Sequence, residues 1–482
     1  MKKAEITAFL SMVFVLFVSF VLGMLEVSVI QTSKSVSRLT TDRAVFSVFG
    51  EYHRNLFDEY HVFALDGSYG TGVFTDDKVI SRLHCYGSPE TGHEITGRQY
   101  LTDDCGQAFR EQVLEYMETK YGISVVRDFT GLAQEWEEQS IRGEEMAEKE
   151  KDILSDVADL REQISQPEQT GHPVGTDGTA PAEIPEGNPF ACLEQIEKSG
   201  VLSLVMPEEM ELSGLRIRPE EQASNRSLAV GNGTFPKRQG IGGADERLLF
   251  NEYVLKNFSD ASSDADAEVG EKASRTEGVP GRTLSYEIEY ILEGNASDKE
   301  NLEAVLLKLF FIRMGLNYLY LMGDSGKQAE AAALAVAVTT VLLIPETAEV
   351  LKQLILLAWA AGESVVDLRT LLSGKRTALV KNSENWQLPL ASLLTLGSGG
   401  EQLCGEDTPG GVSYKDYLRI LLFLKDTDEI TMRTLDRVEE NLSAAGGQKL
   451  RADQCITKIE VKNTKELFGG LTYTYPAYFG YE

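Results

Sequence analysis

The sequence predicts an α+β protein. An N-terminal transmembrane helix continues into a long amphipathic helix, followed by a mainly helical ectodomain with small antiparallel β-sheets. Three observations carry this reading. Ile6–Leu25 is an uncharged apolar run of about the 20 residues that a ~30 Å bilayer core requires at 1.5 Å per residue. Helical periodicity dominates from Ser297 to Leu442. The end of the chain, with Ile456, Ile459 and Val461 before Gly469-Gly470 and Leu471, Tyr473 and Tyr475 after it, reads as a β-hairpin.

The anchor comes first. A helix satisfies its own backbone groups in lipid, and Lys2 and Lys3 favour a cytoplasmic N-terminus, so residues 1–30 form a cytoplasmic tip and membrane anchor. A cleaved signal peptide is the alternative; the run exceeds the usual ~7–15 residues and no A-x-A-like site follows. From Val36, apolar residues recur at Leu39, Val45, Phe49, Tyr52 and Leu56, with Ser33, Lys34, Ser37, Arg38, Asp42 and Arg43 as the wet face. This predicts a helix running from the bilayer into the ectodomain, as in a pilin. His61–Leu65 reads as a short strand entering the Asp66-Gly67 turn, and Gly106–Tyr121 as a helix. In Glu135–Ser165, Met146, Ile153 and Leu160 fall seven apart, predicting a third, solvated helix that packs on its own chain, with a coiled coil of about two heptads as the alternative. Residues 31–165 are thus the stalk helix and N-terminal ectodomain, and the Pro-, Gly- and Thr-rich stretch 166–190 is a linker.

The larger α+β ectodomain spans 191–482, with 259–281 as a mobile loop. Its SDASSDADAE stretch lacks the spacing of a calcium-binding EF-hand loop, and Gly231, Gly233, Gly240, Gly242 and Gly243 lack the strand-then-helix setting of a phosphate loop. Tyr286, Ile288 and Tyr290 alternate with Glu287 and Glu289, predicting a half-buried strand. Ser297 and Glu300 have capping-box spacing and open a helix through Leu316. Ala331–Ile344 is too short for a second span and predicts a core helix. A long helix over Ala348–Leu372 ends near Gly374, and Tyr414–Leu424 and Thr431–Leu442 add two more.

The chemistry legible in the residues is sparse. Of 482 residues, 75 are acidic and 46 basic, a net charge of −29 that argues against nucleic acid or anionic lipid as partners of the ectodomain. The five cysteines show no zinc spacing. Cys85 with Cys105 and Cys404 with Cys455 are the expected disulfide partners, the alternative being five reduced thiols. Trp359, Glu363 and Asp367 stand i, i+4, i+8 on one helix face and form the candidate polar cluster. Two carboxylates there suit acid/base work if burial raises one pKa; pairing with a base such as Arg313 or Arg369 is the simpler role. His53 and His61 read as surface groups of the stalk. No G-x-S-x-G, H-E-x-x-H or Walker motif occurs, so no enzyme, cofactor or metal is expected.

Several stretches carry a resemblance: AEITAFLSMVFVLFVSFVLGMLE, FGEYHRNLFDEYHVFALDG, YEIEYILEGNASDKENLEAVLLKLFFIRMGLNYLYLM, AWAAGESVVDLRTLLSGKR and VSYKDYLRILLFL. Through them the chain resembles an uncharacterised bacterial family, domain of unknown function 5702, whose members lie near tight-adherence (Flp-type) pilus genes. The N-terminus is similar to TadE-type pseudopilins, although Glu5 directly precedes the apolar run, a departure from the processed pilin pattern. The resemblance implies a single-pass membrane protein on the bacterial cell surface, with pilus or secretion-apparatus proteins as partners. The alternative is a membrane-tethered binding module for an extracellular glycan or cation, suggested by the acidic ectodomain and by Tyr473, Tyr475, Tyr478, Phe479 and Tyr481. An envelope hydrolase working through Glu363 and Asp367 is a third.

Overall fold

The computed structural model describes residues 2–87, 89–121, 191–206, 212–238, 243–262, 282–341, 347–393, 396, 403–446 and 450–481. The expected helix Glu135–Ser165, the linker 166–190 and most of the loop 259–281 lie outside them. In chain order the main helices are α1 (Lys2–Phe49), α2 (Arg54–Tyr60), α3 (Asp76–Tyr86), α4 (Asp103–Tyr121), α5 (Ala191–Ser199), α6 (Ala244–Asn257), α7 (Glu287–Glu293), α8 (Asp298–Gly323), α9 (Ser325–Val341), α10 (Ala348–Leu372), α11 (Tyr414–Leu424) and α12 (Thr427–Gly446). The strands are β1 (Leu65–Asp66), β2 (Gly92–Tyr100), β3 (Cys455–Glu466) and β4 (Thr472–Gly480). Among the described residues the architecture is α+β, mainly helical with one small antiparallel sheet.

The chain forms two units, each discontinuous in sequence. The first joins Met1–Lys120, Glu220–Glu246 and Thr431–Glu482; the second joins Tyr121–Pro219 and Arg247–Ile430. The division therefore does not follow the 166–190 stretch, because the C-terminal hairpin pairs with strands near the N-terminus. In the first unit β3 is the central strand. It pairs antiparallel with β2 (Gly92↔Thr464 through Tyr100↔Ile456), with β4 (Lys458↔Gly480 through Glu466↔Thr472) and with β1 at Leu65↔Ile456. Gly469 and Gly470, at φ 77° and 76°, make the β3–β4 turn, a left-handed conformation that suits glycine. One face of the sheet shares an apolar core with α1 and α3: Ala44, Val45, Val48, Phe49, Val79, Leu83, Tyr100, Ile459, Val461 and Ala477.

Three expectations for this unit are corrected. The stalk helix stops at Phe49, not Leu56, because Gly50 ends it and His53 Nδ1 caps α2, accepting from Leu56 N at 3.2 Å. His61 is not a surface group of the stalk but the left-handed C-cap of α2 (φ 58°), stacked 4.1 Å from the Tyr116 ring. The packed face of α1 also differs. Val36 and Leu39 point outward, 54% and 70% exposed, while Thr41, Ala44, Val45, Val48 and Phe49 are buried. The reason is that β4 presents tyrosines to the helix near Ser37, and these prefer polar partners.

In the second unit α8, α9 and α10 pack on one another. Ser297 caps α8, accepting from Glu300 N at 3.3 Å. Helix α9 packs by a single stripe, Ala331, Ala335 and Thr339, while Val336 is 54% exposed. The 286–290 stretch is helix α7, not a strand. Its alternation misled because Glu287 and Glu289 are fully buried like the apolar residues between them. Among the described residues two helices are long and apolar enough to cross a membrane: Glu5–Phe49, with none of its apolar window buried, and Asp298–Gly323, half buried. The second is a core helix, since Arg313 at its middle is buried and ion-paired.

Candidate functional site

Helix α10 is apolar along most of its length and is buried from Leu354 to Leu372, so any polar group on it must find partners inside the protein. Trp359, Glu363 and Asp367 share one face there, and their partners come from α8 and the segment 377–388. Asp367 Oδ2 accepts from Arg313 Nε at 3.0 Å, Arg313 Nη2 at 2.8 Å and Asn317 Nδ2 at 3.0 Å. Its Oδ1 lies 2.8 Å from Lys381 Nζ. Lys381 also donates to Glu363 Oε1 at 2.6 Å, and Glu363 Oε2 accepts from Leu388 N at 2.7 Å. Arg313 Nη1 donates to the carbonyls of Ala378 and Leu379 and to the Tyr417 hydroxyl, at 2.9, 3.0 and 3.0 Å. Trp359 Nε1 and Trp386 Nε1 both donate to Leu388 O, and Lys327 Nζ sits 4.6 and 4.8 Å from their ring centroids.

Two cations and two anions thus balance in a dry site. Burial opposes ionisation of Asp367, but Arg313 and Lys381 outweigh it and hold this carboxyl below its ordinary range. Burial and the neighbouring Asp367 push Glu363 the other way, upward. Both carboxylates are committed to fixed donors, and Arg313, Glu363 and Asp367 are at most 1% exposed. The arrangement is a lock that fastens 377–388 to α8 and α10. Sequence reasoning named Arg313 as a partner but missed Lys381, which lies in a polar stretch with no periodic signal. Arg369 turns elsewhere, donating to Leu204 O at 2.7 Å and Leu403 O at 3.1 Å.

A further buried carboxyl belongs to Glu289. Its Oε1 accepts from Ala261 N at 2.9 Å and from the Tyr414 hydroxyl at 2.8 Å, and Oε2 is buried without a hydrogen-bond partner among the described residues. Burial and nearby Asp260 push its pKa up to about 8. In the first unit, a polar cavity of about 200 Å³ lies between residues 98–104 and 230–237. Its carboxylates are occupied: Asp103 accepts from Tyr100 N and Gly231 N, and Asp104 pairs with Lys237. Among the described residues no group of three or more His, Cys, Asp or Glu is placed to hold a metal.

The cysteines form no disulfide. Cys85, Cys105 and Cys404 are exposed thiols, and Cys192 and Cys455 are buried ones, so the expected Cys85–Cys105 and Cys404–Cys455 bridges are not present. Cys455 sits inside the sheet at 0% exposure.

The most extended feature is the seam between α1 and β4. Strand alternation turns Tyr473, Tyr475, Phe479 and Tyr481 to one face, toward the helix. Lys34 Nζ and Arg38 Cζ lie 5.2 and 5.6 Å from the Tyr473 ring centroid. The Tyr475 hydroxyl donates to Ser37 O at 3.0 Å and bonds Thr41 Oγ1 at 2.8 Å. Phe479 stacks on Phe49 at 4.5 Å, and the Tyr481 hydroxyl donates to Phe49 O. Of the five aromatic residues that suggested a ligand platform, Tyr478 alone faces outward, 47% exposed. The other four hold the helix. Toward its N-terminus α1 leaves this seam, and from Ile6 to Leu25 its large apolar side chains are all exposed.

Comparison with family models matches residues 180–467 to DUF5702, described as a family of unknown function. No curated protein and no solved structure matches the chain.

Proposed function

The chain belongs to DUF5702, and from that premise we propose that it is a single-pass, membrane-anchored extracytoplasmic structural or interaction protein, an accessory of a tight-adherence (Flp-type) pilus or secretion apparatus. The observation that carries this reading is α1 itself. One continuous helix is bare and apolar over 6–25 and packed against a sheet over 41–49. An exposed apolar helix of this length is stable in lipid and costly in water. Beyond the apolar run, Val36, Leu39 and Phe46 at spacing 3 and 7 remain 54%, 70% and 68% exposed, a stripe suited to a partner helix. The N-terminus lies in the cytoplasm in this reading, and both units outside. No catalytic role is assigned: Glu363 and Asp367 are sealed and neutralised by Lys381 and Arg313.

Two experiments test the proposal. In a chain with Cys85, Cys105 and Cys404 replaced by serine, cysteines introduced at the exposed positions Val73 and Val380 should both react with a membrane-impermeant maleimide on whole cells; protection of either refutes the topology. Affinity capture of the tagged protein should bring down pilus-locus products. Capture of none of them, together with intact piliation in a deletion strain, would sink the apparatus assignment.

A further inference from the structure

We propose that the β3–β4 turn, Leu467–Leu471, is a second membrane contact, an apolar foot that rests in the lipid interface beside the point where α1 leaves the bilayer. The inference rests on the anchoring of α1 in lipid and adds a site outside the helix. Phe468 and Leu471 flank the glycine pair of the turn and are 65% and 52% exposed. In a hairpin tip surrounded by water, two such side chains gain nothing from their position.

Their height along α1 says what covers them. Strand β4 runs alongside the helix: Phe479 stacks on Phe49, Tyr475 bonds Thr41, and Tyr473 lies over Lys34 and Arg38. Each step down the strand moves toward the apolar run. From Phe49 to Glu26 the helix descends about 34 Å at 1.5 Å per residue. From Phe479 to Thr472 the strand descends about 23 Å at ~3.3 Å per residue, and the turn Leu467–Leu471 lies beyond its end. The tip meets the helix at Glu26. A side chain added at Gly469 would indeed begin 4.0 Å from Glu26 Oε1. Glu26 is the first charge after Ile6–Leu25 and marks the boundary of the hydrocarbon.

The surroundings fit an interface. Directly above the tip stand Tyr473, Lys34, Arg38 and Lys465, the aromatic and basic types that populate headgroup regions. Glu26 and Glu466 lie at the same level and offset the basic charge, so zwitterionic lipid should suffice. With the helix and the foot both seated, the sheet is fixed against rotation about the helix axis.

The test uses the full chain in phosphatidylcholine vesicles, with Cys85, Cys105 and Cys404 replaced by serine. Single cysteines at Leu16, Phe468 or Val73 carry an environment-sensitive fluorophore, and the vesicles contain lipid with a nitroxide quencher at a shallow or a deep acyl position. Val73 is the control, because it adjoins Gly72, which accepts from Gln454 Nε2 at the far end of β3. The expected result is strong quenching at Leu16 by the deep probe and at least threefold more quenching at Phe468 than at Val73 by the shallow one. Quenching at Leu16 with equal signals at Phe468 and Val73 overturns the foot and leaves the anchor standing. No quenching at Leu16 removes the anchor and the foot with it. A photo-crosslinker at Leu471 that captures a second copy of the chain instead of lipid also overturns the proposal.

Discussion

Replacing Asp367 with alanine should be among the most damaging single changes in the second unit. The wild-type site holds Arg313 and Lys381 against Glu363 and Asp367; the variant leaves one positive charge uncompensated where Arg313 is 0% exposed. Three hydrogen bonds to Oδ2, at 3.0, 2.8 and 3.0 Å, disappear with the carboxylate, as does the 2.8 Å contact to Lys381. Breaking a buried pair in this way costs about 3–5 kcal/mol. With a guanidinium slope of ~4 kcal/mol per molar, that lowers the unfolding midpoint by ~1 M. The fluorescence of Trp359 and Trp386 reports the change directly, since both indoles donate to Leu388 O within the network. The denaturation is run on the full chain in detergent. Glu349→Gln, which removes a pair 73% exposed on the acidic side, is the control and should cost at most ~0.5 kcal/mol. The double variant Arg313→Met, Asp367→Leu leaves the Lys381–Glu363 pair neutral and should recover at least half of the loss. An Asp367→Ala midpoint within ~0.2 M of wild type, or a double variant worse than the single, would refute the buried-charge reasoning.

Three further outcomes are expected. Glu289 carries a folded pKa of about 8, above its unfolded value, so the folded state holds the extra proton and stability falls as pH rises through about 5 to 8. Glu289→Gln should flatten that slope, at most ~1.4 kcal/mol per pH unit, in denaturation curves taken at several pH values. Gly106 has φ +78°, and an added Cβ would lie 2.6 Å from Thr431 Cγ2. Gly106→Ala should therefore cost at least ~1–2 kcal/mol of thermal stability in the first unit, whereas Gly214→Ala, with open space, should cost much less. In the folded protein a maleimide followed by mass spectrometry should modify Cys85, Cys105 and Cys404, and spare Cys192 and Cys455 until denaturant is added. Burial pushes the Cys192 thiol up to about 12 and Cys455 well above its usual value.

Much of the local structure was legible in the residues. Uncharged apolar length predicts α1, Ser297 marks the start of α8, and the periodic leucines of α10 and α11 bring their bounds within a residue of those found. Each is a property of nearby side chains: helix hydrogen bonds close four residues apart, and caps act within one turn. The β3–β4 hairpin was legible for the same reason, because its glycines and alternating strands are adjacent. What the sequence could not reveal is pairing between distant residues. Strands β1 and β2 join β3 across more than 300 positions, a match decided by hydrogen bonding and burial once the chain has closed. Tyr286–Tyr290 looked like a strand because alternation assumes that glutamates face water. Tertiary contacts with Ser259, Ala261, Arg282 and Tyr414 let both glutamates be buried in the protein interior on a helix. The polar cluster shows the same division. Spacing on one helix brought Trp359, Glu363 and Asp367 to a common face, but whether they meet water or Lys381 and Arg313 depends on segments that arrive from elsewhere. Burial and charge pairing are set by those arrivals, and a linear pattern carries neither.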